Sequence, residues 1–164
     1  MEFNVIKRAF LGWKWFGGGM FRGNNPASVD DKGRLKIPTA FKADLDEKYG
    51  QDFFVTSLDG KAVRIYPLPV WIKIEEKLAP LPSMNRAKKK FLDKANYWGQ
   101  MARADAQGRI LIPALLRESA DMQGEVAVMG HEEYLEVGKL EPLREAMSEP
   151  FSDDDMNALD SLGI

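Results

Sequence analysis

Asp30-Asp31-Lys32-Gly33-Arg34-Leu35-Lys36-Ile37-Pro38 returns, 75 positions later, as Asp105-Ala106-Gln107-Gly108-Arg109-Ile110-Leu111-Ile112-Pro113. Both copies fit Asp-x-x-Gly-Arg-apolar-x-Ile-Pro without a gap, and both run into a helix-like stretch. Internal repetition of this kind sets the architecture before any other signal does. It predicts two related modules, and a function that two related modules can share.

Each position of the phrase has a local task. Asp30 and Arg34 stand at the two ends of a tight turn, where their side chains can pair across the strands. Gly33 and Gly108 supply the conformation that closes the turn. Leu35 and Ile37 alternate inward, which leaves Arg34 and Lys36 outward on one face. Pro38 and Pro113 suit the first turn of a following helix. Asp30, Gly33, Pro38, Asp105, Gly108 and Pro113 therefore read as fold-defining. Lys32, Arg34 and Lys36 form a basic ridge of the kind that enters a major groove, where arginine offers guanine a bidentate contact. A hairpin pinned by an Asp–Arg pair with no ligand at all is the competing reading, and on local physics alone it weighs slightly more.

Working outward, strands are expected at 27–30 and 35–37, a helix at 39–48, and a second hairpin, 53–58 with 62–66, across Asp59-Gly60. A helix follows from about Val70 to Leu78, with Trp71, Ile74 and Leu78 on one face. Pro80-Leu81-Pro82-Ser83 breaks the chain before a helix over 85–96 that carries Arg86, Lys88, Lys89, Lys90 and Lys94. The second module repeats the order, with strands at 98–104, 110–112, 125–129 and 134–137 and helices at 113–121 and 142–147. The grammar is β-β-α-β-β-α, twice, an α+β fold. It divides into modules at 20–79 and 98–147, a basic linker at 80–97 and an acidic tail at 148–164, read as a mobile segment or a capped short helix. Residues 1–19 end in Gly17-Gly18-Gly19, a flexible joint, and Met20 reads as the usual start. An interfacial amphipathic anchor is the alternative for that aromatic-rich stretch.

Composition narrows the function. The 164 residues contain no cysteine and one histidine, so thiolate sites, disulfides and histidine clusters are excluded. No apolar run spans a bilayer. The net charge of −2 conceals a polarity: residues 20–118 carry 18 Lys and Arg against 12 Asp and Glu, and residues 119–164 carry 2 against 12. A basic body with an acidic end raises the expectation of a polyanionic partner. Glycine-rich phosphate loops and nucleophile elbows are missing, so no enzyme, cofactor, metal or small-molecule substrate is expected.

Met20-Phe21-Arg22-Gly23, the two repeated phrases and Tyr66-Pro67-Leu68-Pro69-Val70-Trp71 together resemble the MraZ family of bacterial transcriptional regulators, built from two AbrB-like modules. The resemblance runs from Met20 to about Leu143. It implies a duplicated swapped-hairpin, double-split β-barrel fold and a ring-shaped homo-oligomer. It also implies a cytoplasmic, nucleoid-associated repressor that binds double-stranded DNA at direct repeats upstream of the division and cell-wall gene cluster, its own promoter included. By the same resemblance Arg34 stands at the DNA-contacting arginine, with Lys32 beside it, and Arg109 is its counterpart. Lys32 and Lys36 become Gln107 and Leu111 in the second copy. The first copy is thus expected to carry most of the contact, with Lys32, Arg34, Lys36, Arg109 and Gln107 as DNA-binding residues. An antitoxin-like or scaffolding module that binds a protein partner is the alternative function.

Overall fold

The computed structural model describes residues 21–164, so the expectations for residues 1–19 lie outside the described residues. The first repeat supplies β1 (Asn24–Val29), β2 (Arg34–Lys36), α1 (Thr39–Lys48), β3 (Asp52–Thr56), β4 (Val63–Pro67) and α2 (Leu68–Leu78). A linking helix α3 (Arg86–Trp98) follows. The second repeat supplies β5 (Gln100–Arg103), β6 (Arg109–Leu111), α4 (Ala114–Ser119), β7 (Gly124–His131), β8 (Tyr134–Lys139) and α5 (Leu140–Met147), and the chain continues into α6 (Asp153–Ser161).

All eight strands join one sheet in the order β5-β3-β4-β8-β7-β1-β2-β6. Asp105 N–H donates to the Arg109 carbonyl at 3.0 Å across the β5–β6 turn, which brings the two ends of that order together and nearly closes a barrel. The strands are exchanged between repeats: β1 pairs with β7 of the second repeat, and β3 with β5. Neither repeat holds a sheet of its own. The two quoted phrases meet directly, because β2 and β6 pair antiparallel with Arg34 opposite Leu111, Leu35 opposite Ile110 and Lys36 opposite Arg109. Halfway around the order, β4 and β8 pair in the same manner, centred on Arg64 opposite Glu136. The duplication thus appears as a pseudo-two-fold axis through these two pairings. This is the double-split barrel that the family resemblance implies.

Alternation feeds a single core. Leu35, Ile37, Ile110 and Ile112 are almost wholly buried, and they meet Val55, Val63, Ile65, Val126, Val128, Leu135 and Val137 from both repeats. Phe41 and Leu116, equivalent residues of α1 and α4, close the core at its ends. A second cluster sits outside the sheet, where Phe54 stacks on Trp71 at 4.5 Å and Trp71 stacks on Phe91 of α3 at 6.0 Å.

Three local expectations change. Pro38 and Pro113 are N-caps rather than first helical residues. The Pro38 carbonyl accepts from the N–H groups of Phe41 and Lys42, so the proline begins the helix without donating. The hairpin across Asp59-Gly60 forms, with β3 paired to β4, but its loop is longer than the expected three residues. A six-residue loop joins β3 to β4 because side chains there out-compete the ladder: Ser57 Oγ donates to the Ala62 carbonyl at 2.6 Å and accepts from Gly60 N–H at 2.9 Å. Asp59 Oδ1 accepts from Lys61 N–H and Ala62 N–H. Trp98 ends α3 instead of starting a strand, with its indole packed over Gly60. The acidic end forms α6, whose capping box pairs Ser152 with Asp155 in both directions. Three aspartates in its first turn suit the positive end of the helix dipole.

Candidate functional site

The β2–β6 ribbon presents four side chains outward: Arg34, Lys36, Arg109 and Leu111. Their neighbours Leu35 and Ile110 point into the core at 0 % exposure, so the pleat leaves these four no other direction. Three cations then share one face of a two-stranded ribbon. Lys36 lies directly across a rung from Arg109, and like charges so placed cost stability.

Each arginine is fixed by its own turn. Asp30 Oδ1 accepts from Lys32 N–H at 3.0 Å and Arg34 N–H at 2.9 Å, and Oδ2 accepts from Arg34 Nε at 2.9 Å. Asp105 does the same for Gln107 N–H, Arg109 N–H and Arg109 Nε at 2.9, 2.9 and 2.8 Å. Only Nε of each guanidinium is spent on the aspartate. The Nη edges have no protein acceptor among the described residues and stay available for a forked contact. The Arg34 and Arg109 side chains are 30 % and 27 % exposed, so the second copy is presented as openly as the first. What distinguishes the copies is Lys32 and Lys36 against Gln107 and Leu111. Lys32 and Gln107 lie at opposite ends of the ribbon, because Gly33 neighbours Ile112 and Gly108 neighbours Ile37. Four residues of strand separate those ends, about 13 Å.

The carboxyl groups carry the electrostatic signature of this arrangement. The Arg34 backbone N–H above all holds Asp30 below its usual 3.8; desolvation by burial opposes it, and the guanidinium's hydrogen bond and charge add to the lowering. Asp105 is lowered in the same way, chiefly by the Arg109 backbone N–H. Because folding lowers both values, their stabilisation is complete above pH 3.8 and fades as pH falls through the folded-state values. Asp30→Asn with Asp105→Asn keeps an acceptor oxygen and removes the charge. Urea midpoints measured from pH 7 to pH 2 are expected to be lower for this variant at neutral pH and to converge on the unaltered protein in the acid range.

Outside the ribbon the expected residues divide. On α3, Lys89 pairs with Asp93 at 2.6 Å, while Lys88 and Lys94 donate to the carbonyls of Leu81 and Leu58. Three of its five cations are thus engaged by the chain itself. His131 joins a cluster on the β4–β8 side, with Nε2 3.2 Å from Glu136 Oε2 and its ring stacked on Tyr134. Arg64 reaches Tyr66 Oη at 3.0 Å and covers Tyr134 at 5.1 Å. No group of acidic or histidine residues suited to a metal ion occurs among the described residues, and none of their helices is long and apolar enough to cross a membrane. Two cations beside the turns, Lys42 and Arg117, escaped the sequence reading. Their signal was present, since both follow a repeat proline by four residues.

Residues 20–94 and 100–161 match a family model described as "MraZ protein, putative antitoxin-like", in two consecutive segments. The chain is similar to the transcriptional regulator MraZ of Acidobacterium capsulatum, at 54 % identity over 88 % of this chain and 100 % of the relative. Its counterpart in Koribacter versatilis is 50 % identical over the same shares. That of Nitrosomonas europaea is 37 % identical over 72 % of this chain and 80 % of the relative. The match extends past Leu143 to residue 161, so it takes in α6.

Proposed function

The chain belongs to the MraZ family, and from that premise we propose that it is a transcriptional regulator that binds double-stranded DNA through the outward face of the β2–β6 ribbon. The observation that carries this reading is the Lys36–Arg109 rung beside Arg34: three cations crowded on one face, with the forked ends of both arginines unspent. A polyanion relieves that repulsion, and a β-ribbon is narrow enough for a major groove. The first repeat supplies Lys32, Arg34 and Lys36, the second Arg109 and Gln107. Phosphate contacts position such a ribbon, and contacts to base edges specify the site.

One ribbon touches few base pairs, so affinity is built from several of them. In this reading the protein assembles into a ring-shaped homo-oligomer and engages tandem direct repeats, and the second and later ribbons gain effective concentration rather than new contacts. The repeats lie upstream of the division and cell-wall gene cluster, including the protein's own promoter. Binding there represses transcription, on the nucleoid in the bacterial cytoplasm. The test pairs mobility shift with light scattering, using one duplex carrying tandem repeats from that upstream region and one in which the repeats are scrambled. Slow-moving complexes with the first duplex alone, and a mass of several protomers, are the expected results. Equal shifts with both duplexes would contradict sequence-specific recognition. A tightly bound protein partner with no DNA shift would favour the antitoxin-like role.

A further inference from the structure

Lys42 and Arg117 hold equivalent places in the two repeats, and each reaches the other repeat's turn. Their backbone N–H groups donate to the Pro38 and Pro113 carbonyls at 3.1 and 2.9 Å, which fixes both on the first turn of their helices. A Cβ built on Gly33 would fall 2.4 Å from Arg117 Cδ and 2.5 Å from its Nε and Nη1. The guanidinium therefore lies flat against the bare face of the Lys32–Gly33 turn. A Cβ on Gly108 would fall 3.4 Å from Lys42 Cε and 3.6 Å from Nζ, a looser form of the same contact. Both turn glycines are in the left-handed region, at φ 80° and 74°, so they are needed twice over: for the turn, and for the cation seated on it.

Arg117 Nε is buried with no hydrogen-bond partner, and its Nη groups reach solvent without a protein acceptor among the described residues. Folded proteins rarely leave a buried charged donor unpaired, because its lost hydration is not replaced. The turn it covers carries two further cations, Lys32 and Arg34, and the carboxylate of that turn, Asp30, accepts from those two residues. An anion from outside the chain would supply the missing partner. We infer that Arg117 and Lys42 are phosphate-contacting residues, one at each end of the ribbon, which add two cations to Lys32, Arg34, Lys36 and Arg109 on the DNA-facing surface.

This inference rests on the ribbon being the DNA-facing surface, and the measurement separates the two claims. Fluorescence anisotropy of a labelled tandem-repeat duplex and of a mixed-sequence duplex is followed against salt, with the full chain and with Arg117→Met, Lys42→Met and Arg117→Lys. Each phosphate contact contributes about 0.9 to the slope of log affinity against log salt, so each Met variant should lose about that much per bound protomer. Near 0.1 M salt the corresponding loss is about eightfold, vanishing towards 1 M. Both duplexes should be affected equally, since phosphates carry no sequence, and Arg117→Lys should restore the slope. An unchanged slope, whatever happens to affinity, overturns the inference and leaves Arg117 as packing for the turn. Should Arg117→Met fail to fold, Lys42→Met decides by the same criterion, because its contact with the turn is looser. If the unaltered protein binds neither duplex, both claims fall; if it binds and the slopes coincide, only this one does.

Discussion

Replacing Arg34 and Arg109 together by alanine is expected to abolish sequence-specific DNA binding while leaving the barrel folded. Each arginine presents a free Nη edge on a ribbon whose backbone is fixed from below, and a bidentate contact to guanine discriminates by about 1–3 kcal/mol. Each single change should weaken specific binding roughly 5- to 150-fold, and the two together by the product where their contacts are independent. The fold should survive, because both side chains are outward and each aspartate keeps the backbone donors of its turn. Near-ultraviolet circular dichroism with a binding titration on the tandem-repeat duplex reads both outcomes. Undiminished affinity for that duplex would remove the arginines from the interface. A general weakening on every duplex, with sequence preference intact, would make them phosphate contacts rather than base readers.

The largest effect on stability is expected beneath those arginines. Leu35 and Ile110 face one another across the centre of the ribbon, both at 0 % exposure, and each closes the core from a different repeat. Truncating either to alanine removes buried methyl groups and leaves a cavity that strands on both sides prevent from collapsing. The cost is about 2–5 kcal/mol for each, or a fall in thermal midpoint of roughly 5–20 °C. The double variant is expected to depart from additivity, since one cavity is shared. Loss should be cooperative across both repeats, because exchanged strands leave neither half a sheet of its own. Thermal melts followed by tryptophan fluorescence and by far-ultraviolet circular dichroism should therefore coincide. Two separated transitions would mean that the repeats unfold as independent domains.

The sequence made the duplication legible because turn chemistry is local. Asp30, Gly33 and Arg34 satisfy one another within five residues, so their roles survive without tertiary context, and the same holds for the second copy. The outward direction of Arg34 and Lys36 followed from strand alternation alone. Strand exchange was not local. No feature within residues 24–67 announces that β1 pairs with β7 and β3 with β5, and the family resemblance supplied that expectation. The placement of Arg109 beside Lys36 was hidden for the same reason: the two phrases were read as separate hairpins, whereas the pairing merges them into one surface. The division of labour inferred from the substitutions at positions 107 and 111 is narrower in that light, since both repeats serve one face. The hairpin across Asp59-Gly60 was legible, but its loop is longer than expected because Ser57 and Asp59 cap it, a side-chain effect that dipeptide preference does not weigh. Arg117 and Lys42 were overlooked because their meaning depends on the glycine of the opposite repeat.

The central claim is that both repeats build a single DNA-facing ribbon. The chain contains no cysteine, so a cysteine placed at one position is the only thiol in the molecule. Lys36→Cys and Leu111→Cys put one on each strand of the outward face, and Lys61→Cys puts one on the β3–β4 loop near the opposite pairing. Each is labelled with a thiol-directed photo-crosslinker and irradiated with the tandem-repeat duplex at saturating protein. Crosslinks from positions 36 and 111 at comparable yield, with none from position 61, are the result expected of a shared ribbon. Crosslinking from position 36 alone, or from position 61 as strongly as from the ribbon, would contradict it.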